Sequence, residues 1–263
     1  MEQALFAEKL RELALKYAVA ADMDVAFEPR AVLVSCELGN FRFYYDFAAA
    51  PEKDGRQNAP LMHWRLRRRY MELRNALEQG MVKVPLAMRV HHIVSTDDLT
   101  ASLEDVLFME ADLFEWICGD EINRVFAAVD GDYMNGILST AGNVKASMEL
   151  GLLPGGSQPV LLHEVVTKTG VLSDVAVDTQ TQQYPVYIFT GPETRVYTDL
   201  DYELYGLSQP ECDAARYILW TLAKPERVKE SCTRSARLNA VIAAAKAAAA
   251  NTAYTSVEGG CPV

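Results

Sequence analysis

The 263-residue sequence lacks most of the short motifs that announce chemistry. No GxGxxG follows a strand and opens a helix, and there is no GxxxxGK[ST], so no glycine loop is set to cradle a nucleotide phosphate. Gly155-Gly156 lacks the helix start such a site needs. HExxH, GxSxG and EF-hand patterns are missing too. Five scattered cysteines (Cys36, Cys118, Cys212, Cys232, Cys261) form no CxxC and no Cys/His metal spacing, which points to a reducing, cytoplasmic compartment and no metal. No apolar run approaches the ~18 residues of a membrane span, and Met1-Glu2-Gln3-Ala4 has neither a basic n-region nor an apolar h-region. Positive charge is also scarce. A net charge of −11 argues against nucleic acid or an anionic membrane as partner. The local exception is Arg65, Arg67, Arg68, Arg69 and Arg74, either an anion site or a helix face carrying local salt bridges.

The hydrophobic pattern is present and regular. Leu5, Phe6, Leu10, Leu13, Ala14 and Tyr17 follow a helical period over 2–18. Strand-like runs follow at 23–27, 31–36 and 41–47, with Gly39-Asn40 as a turn and 48–60 as a loop. A helix over 61–79 stops at Gly80, and 84–94 reads as a strand. After a helix over 103–117, seven β-runs come close together between 121 and 198. Helices over 209–221 and 228–250 close the chain. This order predicts an α+β fold: a predominantly antiparallel open sheet backed by helices, with a small N-terminal α/β extension. The boundary falls within 61–82, giving segment 1–60, possibly a remnant of a nucleotide-binding domain, and sheet domain 61–263.

Three places could carry chemistry. In the 103–117 helix, Leu103, Val106, Met109, Leu113, Phe114, Trp116 and Ile117 form an apolar arc, with Glu104, Asp105, Asp112 and Glu115 opposite. Glu110 falls inside the arc. It is either a desolvated general acid or base, or a carboxylate paired with a basic residue at a helix–sheet or subunit contact. His91 and His92 point to opposite faces of their strand, so they cannot share a metal. His92 lies with Leu86, Met88, Val90 and Val94 as a core histidine. His91, beside Arg89, is the pocket candidate, which His163 and Glu164 could join. The aromatic set Tyr184, Tyr187, Phe189, Tyr197, Tyr202 and Tyr205 could stack on a sugar or close against another subunit, since the helices are too few to cover both sheet faces.

From about residue 69 the sequence resembles the C-terminal half of the Gfo/Idh/MocA family of sugar and polyol oxidoreductases. Asp112 to Gly119 is similar to the second half of the family helix GGGxLxDxGxHxLDLxRWLxG, and Glu121 to Ala127 to the strand after it. Ile137 to Glu149 resembles its strand–turn–strand unit, Thr167 to Leu172 its "GtkGxl" turn, and Leu238 to Tyr254 its closing helix. The resemblance places the motif aspartate on Asp105 and the proton-transferring histidine on Met109, with the motif glycines on Leu99, Thr100, Ala101 and Leu107. A methionine cannot move a proton.

The resemblance therefore implies a cofactor-less relative acting as an oligomerising, sugar-binding or partner-binding subunit. It would associate with itself through the open sheet face, or with an oxidoreductase partner subunit. The alternative is a split oxidoreductase whose NAD(P)-binding half is on another chain, and a third is a non-redox sugar lyase or isomerase. If the chain is an enzyme, Asp105, Glu110 and His91 are its catalytic candidates, and Arg89, His163 and Trp116 its substrate contacts.

Overall fold

The computed structural model describes residues 3–45, 47, 55–95, 102–153, 160–174, 186–189, 194–197 and 205–257. Of the aromatic set, Tyr184 and Tyr202 lie outside the described residues, as do the side chains of Tyr187, Phe189 and Tyr197. The chain divides into two compact units, Met1–Arg67 with Leu200–Ala236, and Arg68–Asp199 with Arg237–Val263. The cut at Arg67/Arg68 lies inside the 61–82 window, but the first unit also takes in the later segment that starts at Leu200.

The first unit contains a four-stranded sheet in the order β1(Met23–Glu28), β2(Ala31–Cys36), β3(Gly39–Tyr44) and β4(Gln57–Pro60). The first three strands form an antiparallel meander, and β4 joins β3 in parallel. Residues 57–60, read from composition as loop, are thus paired. The β2–β3 turn is at Glu37-Leu38, because Cys36 already pairs with Gly39. Helix α1(Gln3–Lys16) buries Phe6, Leu10, Leu13 and Ala14, the 3.6-period stripe, and sets Phe6 edge-on to Phe27 at 5.9 Å. It ends where Ala18 turns to a φ of 52°. A 3-10 turn (His63–Leu66) and α4(Gln209–Leu222) complete this unit, with Trp64 edge-on to Phe47.

The second unit is built on a nine-stranded sheet ordered β12-β11-β10-β9-β5-β8-β7-β6-β13. Its central strand, β5(Pro85–Ser95), pairs antiparallel with β9(Val160–Thr167) and parallel with β8(Lys145–Leu153). β6(Ile122–Asp130), β7(Tyr133–Thr140) and β8 form a meander. β10(Val171–Ser173), β11(Val186–Phe189) and β12(Thr194–Tyr197) extend the β9 side, and β13(Thr255–Ser256) closes the β6 side. The sheet is therefore mixed but mostly antiparallel, and the α+β expectation holds.

Period-2 alternation sorts its residues by face. Met88, Val90 and His92 of β5, Ala146, Met148 and Leu150 of β8, and Met134 and Leu138 of β7 are buried. Helix α3(Leu103–Cys118) packs on β5, β7 and β8, and α2(Arg68–Glu78) packs on α3. Leu86, expected inward, is 45% exposed, because a bulge between Pro85 and Ala87 shifts the register ahead of Met88. The long helix α5(Glu226–Asn251) begins in the first unit, and from Arg237 it belongs to the second.

Candidate functional site

Helix α3 is fixed at both ends by its own sequence. Ser102 Oγ accepts from the Asp105 amide at 3.1 Å and donates to Asp105 Oδ2 at 2.7 Å, and the Ser102 amide also reaches that oxygen. This is a capping box, which satisfies amides at the helix start that would otherwise lack partners. At the other end Gly119 takes a left-handed φ of 72°, and its N–H bonds Glu115 O. Between the caps, Glu110 points into the sheet and is fully buried.

A chain of five polar side chains from five segments meets around Glu110. From β5, His92 Nδ1–H donates to Glu110 Oε1 at 2.6 Å. From β9, His163 Nε2–H donates to Glu110 Oε2 at 2.9 Å. The other ring nitrogen, Nδ1, donates to Asp174 Oδ2 at 2.7 Å, and the His163 amide reaches Asp174 Oδ1. Arg69 of α2 completes the chain through Nε to Asp174 Oδ2 at 3.0 Å. Tyr70 packs edge-on against His163 with ring centroids 5.0 Å apart. All five members are at least nine-tenths buried.

Both nitrogens of His163 face carboxylate oxygens within hydrogen-bond distance. A neutral imidazole carries one N–H and would leave a lone pair against one of them, so the geometry calls for the imidazolium. Burial opposes that charge, but Glu110 and Asp174 override it and hold His163 up at about 9. Burial likewise would raise Glu110, yet the His163 charge and the two histidine hydrogen bonds bring it down to about 2. Asp174 is lowered against the same burial by His163 and Arg69. Two cations (Arg69, His163) and two anions (Asp174, Glu110) balance. Both oxygens of Glu110, both oxygens of Asp174 and both ring nitrogens of His163 are engaged, which makes the chain a buried structural network.

The structure separates the expected catalytic trio. Glu110 lies on the helix-covered side of the sheet. His91 lies on the other side, 40% exposed, with Nδ1 2.9 Å from Glu149 Oε2. Asp105 caps α3. Among the expected substrate contacts, Arg89 pairs with Glu164 at 2.8 Å on the His91 side, whereas His163 joins Glu110 on the buried side. Trp116 is half-buried under the Arg74 guanidinium, 4.7 Å from the ring centroid. The grouping of His163 with His91 fails because Val90 opposes His163 and His91 opposes Leu162. The roles of Asp174 and Arg69 were not apparent from sequence, since nothing in their spacing marks them as partners.

Two further expectations change. Asp112 and Glu115, placed on the solvent side of α3, are buried. Glu115 Oε1 accepts from the Ile122 amide at the start of β6 at 2.6 Å and from Arg237 Nη2 of α5 at 3.0 Å, so its carboxylate is taken up by partners from two other elements. In the basic cluster, Arg67 pairs with the buried Asp213, Arg68 with Glu72, Arg69 with Asp174 and Arg74 with Glu78, so these four are salt-bridged to carboxylates of their own units.

Among the described residues, no group of three or more His, Cys, Asp or Glu is arranged to hold a metal ion. The start of α3 holds Asp105 and that of α4 holds Glu211, which accepts from Ser208 N and Oγ at 2.8 and 2.7 Å. An open hollow of about 580 Å³ in the first unit is lined by Asp22, Asp24 and Glu37. These carboxylates would repel a pyrophosphate. No described helix is long and apolar enough to cross a membrane.

No family model matches the chain, and no curated protein matches it. Solved structures do share its fold. An oxidoreductase from Agrobacterium radiobacter, in complex with NAD+, L-tartaric acid and magnesium, aligns over 76% of this chain at TM-score 0.61 and 15% identity. An oxidoreductase domain protein from Kribbella flavida aligns over 77% at TM-score 0.61 and 13% identity. Scyllo-inositol dehydrogenase from Lactobacillus casei, with bound NAD(H) and scyllo-inositol, aligns over 77% at TM-score 0.55 and 12% identity. The alignments span 65%, 66% and 65% of those chains respectively. The likeness establishes the fold shared with these oxidoreductases.

Proposed function

We propose that this chain is a non-catalytic relative of the sugar and polyol oxidoreductases that works by binding, as an oligomerising, sugar-binding or partner-binding subunit. One observation carries this reading: the acid–base groups of α3 serve the fold. The Asp105 carboxylate caps its own helix. Met109 stands where the family resemblance places a histidine. Glu110 is enclosed with two histidines and makes no opening to solvent. A general acid must reach the proton it moves, and the full burial of Glu110 and the capping role of Asp105 support the non-catalytic reading. The carboxylates at the starts of α3 and α4 agree with this reading for the cofactor, since a dinucleotide phosphate would meet negative charge at those two helix ends.

The test is titration of the purified chain with NADH and NADPH, followed by nucleotide fluorescence. The expected result is no change at micromolar protein. Saturable binding with turnover of a polyol by the chain alone would overturn the reading. A second reading, a split oxidoreductase whose nucleotide-binding half is on another chain, is favoured by the 65% share of the Agrobacterium radiobacter structure that this chain spans. It predicts nucleotide binding and polyol oxidation only after a co-purifying partner is added.

A further inference from the structure

The first unit holds a polar cluster that the binding reading does not use. It lies where the 3-10 turn His63–Leu66 packs on α4. Asp213 of α4 is its centre and is fully buried. Its Oδ2 accepts from Arg67 Nε at 2.8 Å, and its Oδ1 from Gln209 Nε2 at 3.0 Å. Arg216 Nη1 stands 3.5 Å from the same Oδ1. A buried carboxylate needs such partners, and Arg67 is the closer of these two cations.

His63 shares this neighbourhood. Its Nδ1 lies 3.1 Å from Leu61 O. A carbonyl only accepts, so Nδ1 carries the hydrogen, and in the uncharged ring Nε2 keeps its lone pair. Nε2 has no hydrogen-bond partner among the described residues, and the ring is only half-buried, so a proton from water can reach it. One side of the ring is closed by Trp64, edge-on at 5.4 Å between centroids, and Trp64 in turn packs against Phe47.

The charged groups around the ring compete. Its own segment supplies Arg65 and Arg67. Helix α4 supplies Asp213 and Arg216, and also Glu211, whose carboxylate is taken by Ser208. Burial first, and then the Arg67 charge, hold the ring below its ordinary 6.5, against the pull of Leu61 O and of Asp213. A proton gained at Nε2 creates a new charged donor. The carboxylate that acts on the ring is Asp213, which Arg67 already holds.

We infer that His63 is an acid-operated latch on α4. Uncharged, it leaves Arg67 on Asp213. On taking a proton from water at Nε2, it claims the Asp213 carboxylate and displaces Arg67, so the turn changes its hold on the helix. The hold made with the uncharged ring is complete above 6.5 and is lost as pH falls through the lowered value. The latch lies within the first unit and does not depend on what the chain binds.

NMR of the whole chain, followed from neutral pH downward, tests it together with His63→Gln, whose side chain cannot take the proton. The expected result has three parts. The His63 ring nitrogens titrate with a midpoint below 6.5. The Arg67 Nε–H and the Asp213 carboxyl carbon shift at that same midpoint. Both signals stay in place over that range in His63→Gln, whose fold circular dichroism checks. A ring that titrates at or above 6.5 overturns the inference, as do Arg67 and Asp213 signals that stay still while the ring titrates. These two outcomes are read on the wild type alone. Signals that move equally in folded His63→Gln overturn it as well, because another group would then be the cause.

Discussion

Replacing Glu110 by Gln is the most informative perturbation of this fold. The carboxylate accepts from two donors, His92 Nδ1–H and His163 Nε2–H. The amide offers one oxygen and one NH2, so one histidine loses its acceptor and the His163 charge loses its nearest counter-ion. His163 is held at about 9 against an ordinary 6.5, and Glu110 at about 2 against 4.5. At about 1.4 kcal/mol per tenfold, each corresponds to roughly 3 kcal/mol. Both describe the same contact from its two sides and are not added. Removing one partner of a buried ion pair costs about 3–5 kcal/mol, a large part of the roughly 5–15 kcal/mol that stabilises a typical domain.

The sign with pH follows from the same shifts. Glu110 is depressed, so its contribution is present above its unfolded value near 4.5 and is lost as pH falls toward about 2. His163 is raised, so its contribution is complete below 6.5 and is lost as pH rises through about 9. The wild type should be most stable between these limits, and Glu110→Gln should flatten both flanks while lowering the plateau. Urea unfolding followed by circular dichroism across this range measures both effects. A plateau loss below about 1 kcal/mol, smaller than the cost expected for a broken buried pair, or an unchanged alkaline slope would refute the network as described.

Other substitutions separate groups that matter from groups that do not. Ser102→Ala should cost about 1 kcal/mol through the lost cap of α3, measured by the same unfolding curves. Arg237→Met removes the guanidinium paired with the buried Glu115 carboxylate and should cost about 3 kcal/mol. Arg89→Gln removes an exposed pair with Glu164 and should change stability by less than about 0.5 kcal/mol.

Element types were legible in the sequence because the periods are clean: apolar residues at helical spacing in α1 and α3, and alternation in β5 to β9. The anomaly at Glu110 was visible from the helical wheel, and the opposite facing of His91 and His92 from strand parity. The partners of Glu110 were not visible. His163 lies 53 residues further on, and only the antiparallel pairing of β9 with β5 sets it beside His92. Parity alone allowed His163 either face until that register was known. The wheel placed Glu115 in solvent because a wheel sees one helix, and its partner Arg237 comes from more than a hundred residues away. Leu86 was misplaced because a bulge cannot be read from alternation.

The central claim is that Glu110 and His163 form a buried charged network that holds the fold together and moves no substrate proton. Nitrogen-15 NMR of the His163 ring reads this directly. The account predicts an imidazolium at neutral pH, unmoved by added polyol, that loses its proton only toward about pH 9. A neutral ring at pH 7, or one whose signal shifts when polyol is added, would contradict it.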